Sequence, residues 1–426
     1  MPQTHNRGLA RIALVTAFIQ FTNALDYMVF NPIFVFMAGD FSVPVSFSGY
    51  VSGVYTFGAV LSGIAAFYGI GRVNKQRFLV INMALSGLLT FLTTLTTCFA
   101  GLLALRFCAG LVGGTTMGVA VSVLINSAPA NLRGKMLATV IASFSMVSIV
   151  GMPALLFLCT HYGWHLALWV ICACCLLTLP LIITTFPQDV PASDTMNRLY
   201  LDANTLLFAS GNALVQFSPM LIIPVLVPLM TQQLGVSPNL LPGLFFAGGI
   251  AGYLSTKLTG ALLSRCSCLV LATGSTLVFI LSLLIPVISS EHATLFIILF
   301  LGASYSRLVS SSAIAIQFPD DRQRAGFGSL QTSLMYLFTT VAFFLSSSLL
   351  PGHQITQQSL IGLLAIAASA AAVCPLLLFI LQKKTHPTES RLRYEFFLRL
   401  MCRYMLTLEW IQPLPAAWLS DKVSET

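Results

Sequence analysis

Charged side chains are scarce in this chain of 426 residues. Asp, Glu, Lys and Arg together make up 8% of it, whereas hydrophobic residues make up 57%. Soluble domains carry roughly a quarter charged residues, so this composition excludes water as the solvent for most of the surface. We therefore expect the lipid bilayer to surround most of the protein.

Sequence signatures of hydrolysis and of ATP binding are also missing. The chain has no helical HExxH motif, no P-loop and no nucleophile elbow. Its Cys266 and Cys268 lack the partner ligands that a zinc site needs. We expect no enzymatic activity, no metal and no cofactor, and an ion gradient as the source of energy.

Long apolar runs are the dominant positive feature. A helix needs roughly 20 apolar residues to cross a bilayer core of about 30 Å. Twelve such runs occur, at residues 11–37, 46–69, 78–97, 101–126, 136–158, 164–186, 204–230, 239–263, 267–288, 293–317, 326–349 and 358–382. They predict an all-α membrane protein with twelve transmembrane helices in two pseudo-symmetric six-helix bundles.

Basic residues alternate between loops. They follow spans 2, 4, 6, 8 and 10, whereas the opposite loops, around Asp40, His161, Glu291 and His353, contain neither Lys nor Arg. By the positive-inside rule both termini are cytoplasmic. The short loops are typical of a protein of the bacterial inner, or plasma, membrane.

The spans divide into two blocks. A polar linker at 187–203 separates an N-terminal bundle, 1–186, from a C-terminal bundle, 204–382. The sequences PANLRGK at 129–135 and PDDRQRAG at 319–326 enter spans 5 and 11, which indicates an internal repeat. The cytoplasmic tail, 383–426, has the pattern of an amphipathic helix that binds either the anionic inner leaflet or a partner protein.

Three partial motifs occur in order along the first block. The loop after span 2 reads GRVNKQRFL, span 4 contains RFCAGLVGG, and span 5 contains SIVGMPALLFL. In this order and context, the three motifs resemble those of the major facilitator superfamily, nearest its drug and sugar (arabinose-type) proton antiporter efflux branch. The chain departs from the motifs usual in that family at four positions, Gly71, Asn74, Leu155 and His165.

The resemblance implies a function and roles for the matching residues. Proteins of this family transport small molecules by alternating access of two bundles. The residues matched to its conformational motifs are Arg72, Lys75, Gly110, Gly114, Gly151 and Pro153. We expect a monomer whose partners are a small-molecule substrate, protons and lipid, and which binds no nucleic acid.

Ionisable residues inside spans are the strongest functional candidates, because each costs about 2.5–3.5 kcal/mol at the bilayer centre. Asp26 in span 1 and Arg106 in span 4 can reach the same depth and pair. When the two separate, the low dielectric favours the neutral, protonated carboxyl group, which would couple transport to protons. The resemblance favours this role, since efflux members often use a span 1 acid with a span 4 arginine. The alternative is a static ion pair that fixes helix register.

Polar residues near mid-membrane predict a substrate site. The candidates are Asn23, Tyr27 and Asn31 on one face of span 1, Asn212 and Gln216 in span 7, Tyr305 and Arg307 in span 10, and Gln331 and Tyr336 in span 11. Hydrogen bonding between helices is the alternative reading for each of them. Arg307 has no acidic residue in the second-half spans to pair with, so it would either neutralise an anionic substrate or bond to serine hydroxyls and carbonyls.

Three functions remain open from the sequence. The first is proton-coupled efflux of a small amphipathic or anionic metabolite or drug. The second is uptake, by proton symport or facilitated diffusion, through the same cavity. The third is a membrane receptor or assembly protein that acts through its tail and transports nothing.

Overall fold

The structure is a computed structural model that describes residues 2–69, 73–187, 202–263, 265–288, 291–315, 324–350 and 356–385. Most of the predicted linker, the predicted tail helix and Arg72 lie outside the described residues. The chain divides into a compact unit, Met1–Leu378, and a second unit, Phe379–Thr426. All side chains discussed below belong to the first unit.

The described residues form twelve helical segments, and an all-helical membrane protein is thereby confirmed. They are α1 (Pro2–Met37), α2 (Ser48–Gly69), α3 (Lys75–Leu95), α4 (Phe99–Ser127), α5 (Ala130–Met146, Val147–Gly151 and Met152–Tyr162), α6 (Trp164–Thr185), α7 (Ala203–Gln233), α8 (Leu241–Leu262), α9 (Cys268–Ile288), α10 (Ala293–Ala315), α11 (Arg324–Leu349) and α12 (Gln357–Thr385). Ten of them are long and apolar enough to cross a membrane. Among the described residues, α2 and α8 do not reach this length and hydropathy.

Segment α5 contains a π-helical turn at its centre. Residues Val147–Gly151 are π-helical, and the amide of Met152 donates to the carbonyl oxygen of Val147, five residues earlier. Pro153 follows directly and has no amide hydrogen to give to the preceding turn. The motif residues Gly151 and Pro153 therefore lie where the helix is widened, a feature that often marks a functional site.

Segment α7 is broken by Pro219, Pro224 and Pro228. It changes from α-helix to 3₁₀-helix at Ile223–Val225 and to π-helix at Leu229–Gln233. Irregular backbone at membrane depth is tolerated where it is buried in protein or lines a cavity. Segment α7 thus has the form of a discontinuous helix next to a binding site.

The beginning of α7 is fixed by a cap. Asp202 accepts a hydrogen bond from the amide of Thr205 at 2.8 Å. Hydrogen bonds from the Thr205 side chain and amide hold the pKa of the exposed Asp202 carboxyl below its usual value. Asp202 therefore satisfies an amide that the helix itself leaves unpaired.

Helix packing repeats between the halves with an offset of six segments. Segments α2 and α3 pack against α4, and α8 and α9 pack against α10; α1 likewise packs against α4, and α7 against α10. The two halves meet where α2 lies along α11 and α5 lies along α8. The fold thus brings the inner faces of both halves to one central interface.

One end of this interface is closed. Ser48 donates to the carbonyl oxygen of Pro224 at 2.7 Å, and Ser347 donates to the carbonyl oxygen of Ser46. Both bonds lie near the loop between α1 and α2. We call this the outer end, because the distribution of basic residues predicts that it faces outside.

Candidate functional site

Asp26 and Arg106 form an ion pair inside the N-terminal half. Nη1 of Arg106 lies 3.2 Å from both carboxylate oxygens of Asp26, and Nη2 donates to the main-chain oxygen of Asp26 at 3.1 Å. The residues are 4% and 0% exposed. A pair this deeply buried depends on its mutual contacts, because removing one partner leaves an uncompensated charge in a low dielectric.

Three neighbours complete the surroundings of the pair. The hydroxyl of Thr90 donates to Asp26 Oδ1 at 3.1 Å. The Arg106 guanidinium lies over the rings of Phe30, at 3.8 Å, and Tyr55, at 4.5 Å. These distances are suited to cation–π attraction, which strengthens away from water. Sequence reasoning missed all three residues, because a single threonine or aromatic residue in an apolar span carries no pattern that separates it from packing.

A cavity of about 60 Å³ lies between the two halves. It is lined by Tyr27, Met28, Asn31, Pro32, Ser148, Met152, Met220, Ile223, Leu226, Phe245, Leu301, Tyr305 and Phe343. Three of the predicted substrate residues, Tyr27, Asn31 and Tyr305, are among them. None of the lining residues carries a charge, so the cavity is apolar with a few uncharged polar groups, as small-molecule sites usually are.

Tyr27 connects this cavity to the ion pair. Its ring stacks on Tyr55, with centroids 5.5 Å apart, and Tyr55 lies against the Arg106 guanidinium. On its other side Tyr27 meets the edge of Tyr336, from α11 of the second half, at 6.0 Å. The cavity and Arg106 are therefore joined by two aromatic rings in contact, Tyr27 and Tyr55.

The π-helical turn of α5 also contacts the second half. The hydroxyls of Ser148 and Tyr305 are 2.8 Å apart, and both residues line the cavity. A Cβ added to Gly249 would lie 2.5 Å from the main-chain oxygen of Ser148, so the two helices are in close contact here. Gly151 faces α1 instead, since a Cβ added there would lie 2.7 Å from the Leu25 side chain. The antiporter-motif residues thus surround the point where α5 contacts α8 and α10.

The remaining predicted substrate residues lie outside the lining of this cavity. Asn23 flanks Gly113 beside the Tyr55 hydroxyl, Asn212 donates to Ser312 at 2.9 Å, and Gln216 is half-buried on α7. Nε2 of Gln331 is buried without a hydrogen-bond partner.

Arg307 also lies outside the cavity lining. It is 1% exposed, and its Nη1 donates to the hydroxyl of Ser218 at 2.9 Å. A serine hydroxyl is one of the two partners expected for it from the sequence. In this arrangement the guanidinium bonds to Ser218 and does not contribute to the lining of the cavity.

The glycines of α4 permit close packing against α2. A Cβ on Gly110 would overlap the main-chain oxygen of Tyr55, and one on Gly114 would lie 2.5 Å from Cα of Ala59. The same packing holds Tyr55 against Arg106. Lys75 begins α3, where the Asn74 side chain accepts a hydrogen bond from the amide of Arg77.

Comparison with known proteins agrees with this architecture. The family model of the Major Facilitator Superfamily matches residues 16–199. A chloramphenicol resistance protein of Streptomyces lividans is 23% identical over 290 residues, which are 65% of this chain and 73% of that protein. The niacin transporter NiaP of Acinetobacter baylyi is 23% identical over 169 residues, 40% of this chain and 38% of that protein.

Solved structures share the fold over most of the chain. A bacterial homologue of the human lysosomal transporter Spinster, in an inward-facing and occupied conformation, has a TM-score of 0.71 at 16% identity and covers 89% of this chain and 97% of its own. A mutant of the nucleoside transporter NupG has a TM-score of 0.68 at 12% identity over 88% of this chain and 99% of its own. The first half of the chain thus resembles the Major Facilitator Superfamily, and most of the chain shares the fold of these solved transporter structures.

Proposed function

We propose that this transporter exports a small amphipathic molecule in exchange for protons, with Asp26 and Arg106 as the coupling pair. The observation that carries the proposal is the contact chain from the cavity to the buried ion pair, through Tyr27 and Tyr55. A substrate in the cavity and a proton on Asp26 can thereby affect one another without sharing a binding site.

The coupling follows from the charge balance of the pair. With Asp26 ionised, its carboxylate holds Arg106 against Tyr55 and Phe30. With Asp26 protonated, the attraction between opposite charges is lost, and the guanidinium keeps only its bond to the main-chain oxygen of Asp26 and its contacts with the two rings, so its release from Tyr55 costs less. Substrate and proton then favour different arrangements of the same rings, and exchange transport needs this property.

The lining of the cavity favours an uncharged cargo. Asn31, Ser148 and the tyrosine hydroxyls offer hydrogen bonds, while Met28, Met152 and Met220 offer flexible apolar contact. Arg307, the residue that would have favoured an anion, lies outside the lining. Of the compounds named for its relatives, neutral and amphipathic chloramphenicol fits this lining better than anionic nicotinate.

Uptake through the same cavity is the second candidate. The partial match to a niacin transporter supports it, as do the departures from the efflux motifs at Gly71 and Leu155. An importer would use the same pair, with proton and substrate moving in the same direction.

The deciding experiment measures proton movement in proteoliposomes that contain a pH-sensitive dye. Chloramphenicol, nicotinate and uridine are added outside in turn. Entry of a substrate by antiport makes the lumen more alkaline, symport makes it more acidic, and both results are independent of protein orientation. We expect chloramphenicol to make the lumen alkaline, and we expect no proton movement with Asp26→Asn.

Asp40→Asn is the matched control, because Asp40 lies at the outer end, where it accepts a hydrogen bond from Trp164 at 2.6 Å. It should retain the proton signal. Substrate uptake without proton movement in both the wild type and Asp26→Asn would refute proton coupling and leave a uniporter. Acidification of the lumen would replace export by symport.

A further inference from the structure

Arg307 is a buried cation without a counter-charge among the described residues. Its Nη1 donates to Ser218, but Nε and Nη2 are buried and have no hydrogen-bond partner. The guanidinium lies over the ring of Phe279 at 4.6 Å, and the thiol of Cys374, a weak acceptor, lies beside it. A charge that is almost fully removed from solvent requires neutralisation as well as hydrogen bonds.

The surroundings of Arg307 repeat those of Arg106 six segments later. Arg106 on α4 is surrounded by Asp26 on α1 and Thr90 on α3, with Cys175 on α6 within electrostatic range of Asp26. Arg307 on α10 has Ser218 on α7 and Cys374 on α12, and Cys374 in turn contacts Thr276 on α9. The two clusters therefore occupy corresponding places in the two halves of the repeat.

The two clusters differ in charge, because Ser218 takes the place of Asp26. The only acidic residues in the sequence between positions 204 and 382 are Glu291, Asp320 and Asp321, and none of them belongs to a described helical segment. In the first cluster two carboxylate oxygens contact the guanidinium, and only Nε lacks a partner. The second cluster keeps the arginine but not the negative charge.

We propose that the Arg307 cluster binds a monovalent inorganic anion of the size of chloride, which replaces the missing carboxylate. Nε and Nη2 of Arg307 supply two donors. Ser311, four residues further along α10, is 1% exposed and its hydroxyl has no partner, so it is the candidate for a third donor. Burial of Arg307 and the ring of Phe279 on its face restrict the site to a small ion.

This anion is a resident counter-ion rather than the cargo. The cluster does not contribute to the lining of the central cavity. The proposal therefore does not rest on proton exchange or on the direction of transport, and each can fail without the other.

Thermal unfolding of the purified full chain in detergent tests the site. The melting temperature is measured while sodium gluconate is replaced by sodium chloride at constant ionic strength. We expect a saturable rise with chloride and with bromide, because an ion that binds only the folded state stabilises it by mass action.

Ser218→Asp is the decisive variant, since it supplies the carboxylate that the first cluster has. We expect it to lose the chloride-dependent rise and to melt without chloride at or above the temperature of the chloride-saturated wild type. Ser218→Ala is its matched control: it adds no charge and should keep the rise. In the reverse exchange, Asp26→Ser should gain an additional chloride-dependent rise at Arg106.

A melting temperature of the wild type that is independent of chloride would overturn the proposal, as would a dependence retained in Ser218→Asp. If Ser218→Asp does not fold, equilibrium binding of radiolabelled chloride to the wild type decides, and absence of saturable binding overturns the site. Cys374→Ala should remain chloride-dependent. If the melting temperature depends on chloride only in Cys374→Ala and not in the wild type, the counter-ion is the Cys374 thiolate instead.

Discussion

Tyr55 lies between the cavity residue Tyr27 and the ion pair, and the proposed coupling depends on it. It stacks on Tyr27 at 5.5 Å and lies 4.5 Å below the Arg106 guanidinium. We expect Tyr55→Leu to lower substrate-driven proton flux on the order of tenfold, because desolvated cation–π contacts are worth roughly 2 kcal/mol. Flux in proteoliposomes and substrate affinity, measured on the same preparation, check this.

Tyr55→Phe is the matched control, since it keeps the ring and removes only the hydroxyl. It should retain most of the flux. Equal losses in the two variants would assign the effect to the hydroxyl, which faces Gly113, rather than to the ring.

For single residues, the sequence identifies charged side chains within spans better than it identifies the side chains that contact them. Asp26 and Arg106 stand out because an ionisable side chain in an apolar span is costly, whatever the fold. Arg307 stands out equally, and a serine hydroxyl is one of its expected partners, but the sequence does not identify Ser218, because the depth and direction of each helix decide which side chains the guanidinium meets. Thr90 and Tyr55 become visible only once α2, α3 and α4 are packed.

The close contact between α2 and α4 holds this assembly together. A methyl group at position 110 would overlap the main-chain oxygen of Tyr55, and backbone atoms cannot move aside as a flexible side chain can. We expect Gly110→Ala to destabilise the protein by about 1–3 kcal/mol, the usual cost of overpacking. Thermal unfolding in detergent measures the effect.

Gly118→Ala, two helical turns further along α4, is the control, because a Cβ there would have nothing within 4 Å. It should melt at the wild-type temperature or slightly above, since alanine favours helix. Equal melting temperatures of the two alanine variants would show that α4 can move away from α2 without cost.

Hydropathy predicted the helical segments well, because each must satisfy its own backbone in lipid. It could not predict the irregularities. Pro153 indicates that α5 is disturbed, yet only the structure shows a π-helical turn that directs Ser148 towards Tyr305. Likewise, α1 begins at Pro2, well before residue 11, because a helix can extend beyond the apolar run that crosses the membrane.

At the scale of the whole molecule, two hydrogen bonds between the halves close the outer end of their interface. Ser48 and Ser347 each donate to a main-chain oxygen across α2, α7 and α11. We expect the double variant Ser48→Ala, Ser347→Ala to favour the outward-open state on the order of tenfold, since two neutral hydrogen bonds contribute about 0.5–1.5 kcal/mol each.

The measurement is the labelling rate of Asn31→Cys by a membrane-impermeant maleimide added outside, in a background without other cysteines. Ser348→Ala serves as control, because its hydroxyl bonds to Leu345 within its own helix. A labelling rate that is the same with and without the double substitution would show that these bonds do not hold the outer end closed.

The chemistry of this closure has a consequence for how the outer end responds to its surroundings. Ser48 and Ser347 join the halves through hydroxyl and carbonyl groups, which neither titrate in the physiological range nor attract counter-ions. A change in the salt concentration or the pH of the outside medium would leave these bonds equally strong. The hydrogen bonds that close the outer end are thus insensitive to the ionic environment.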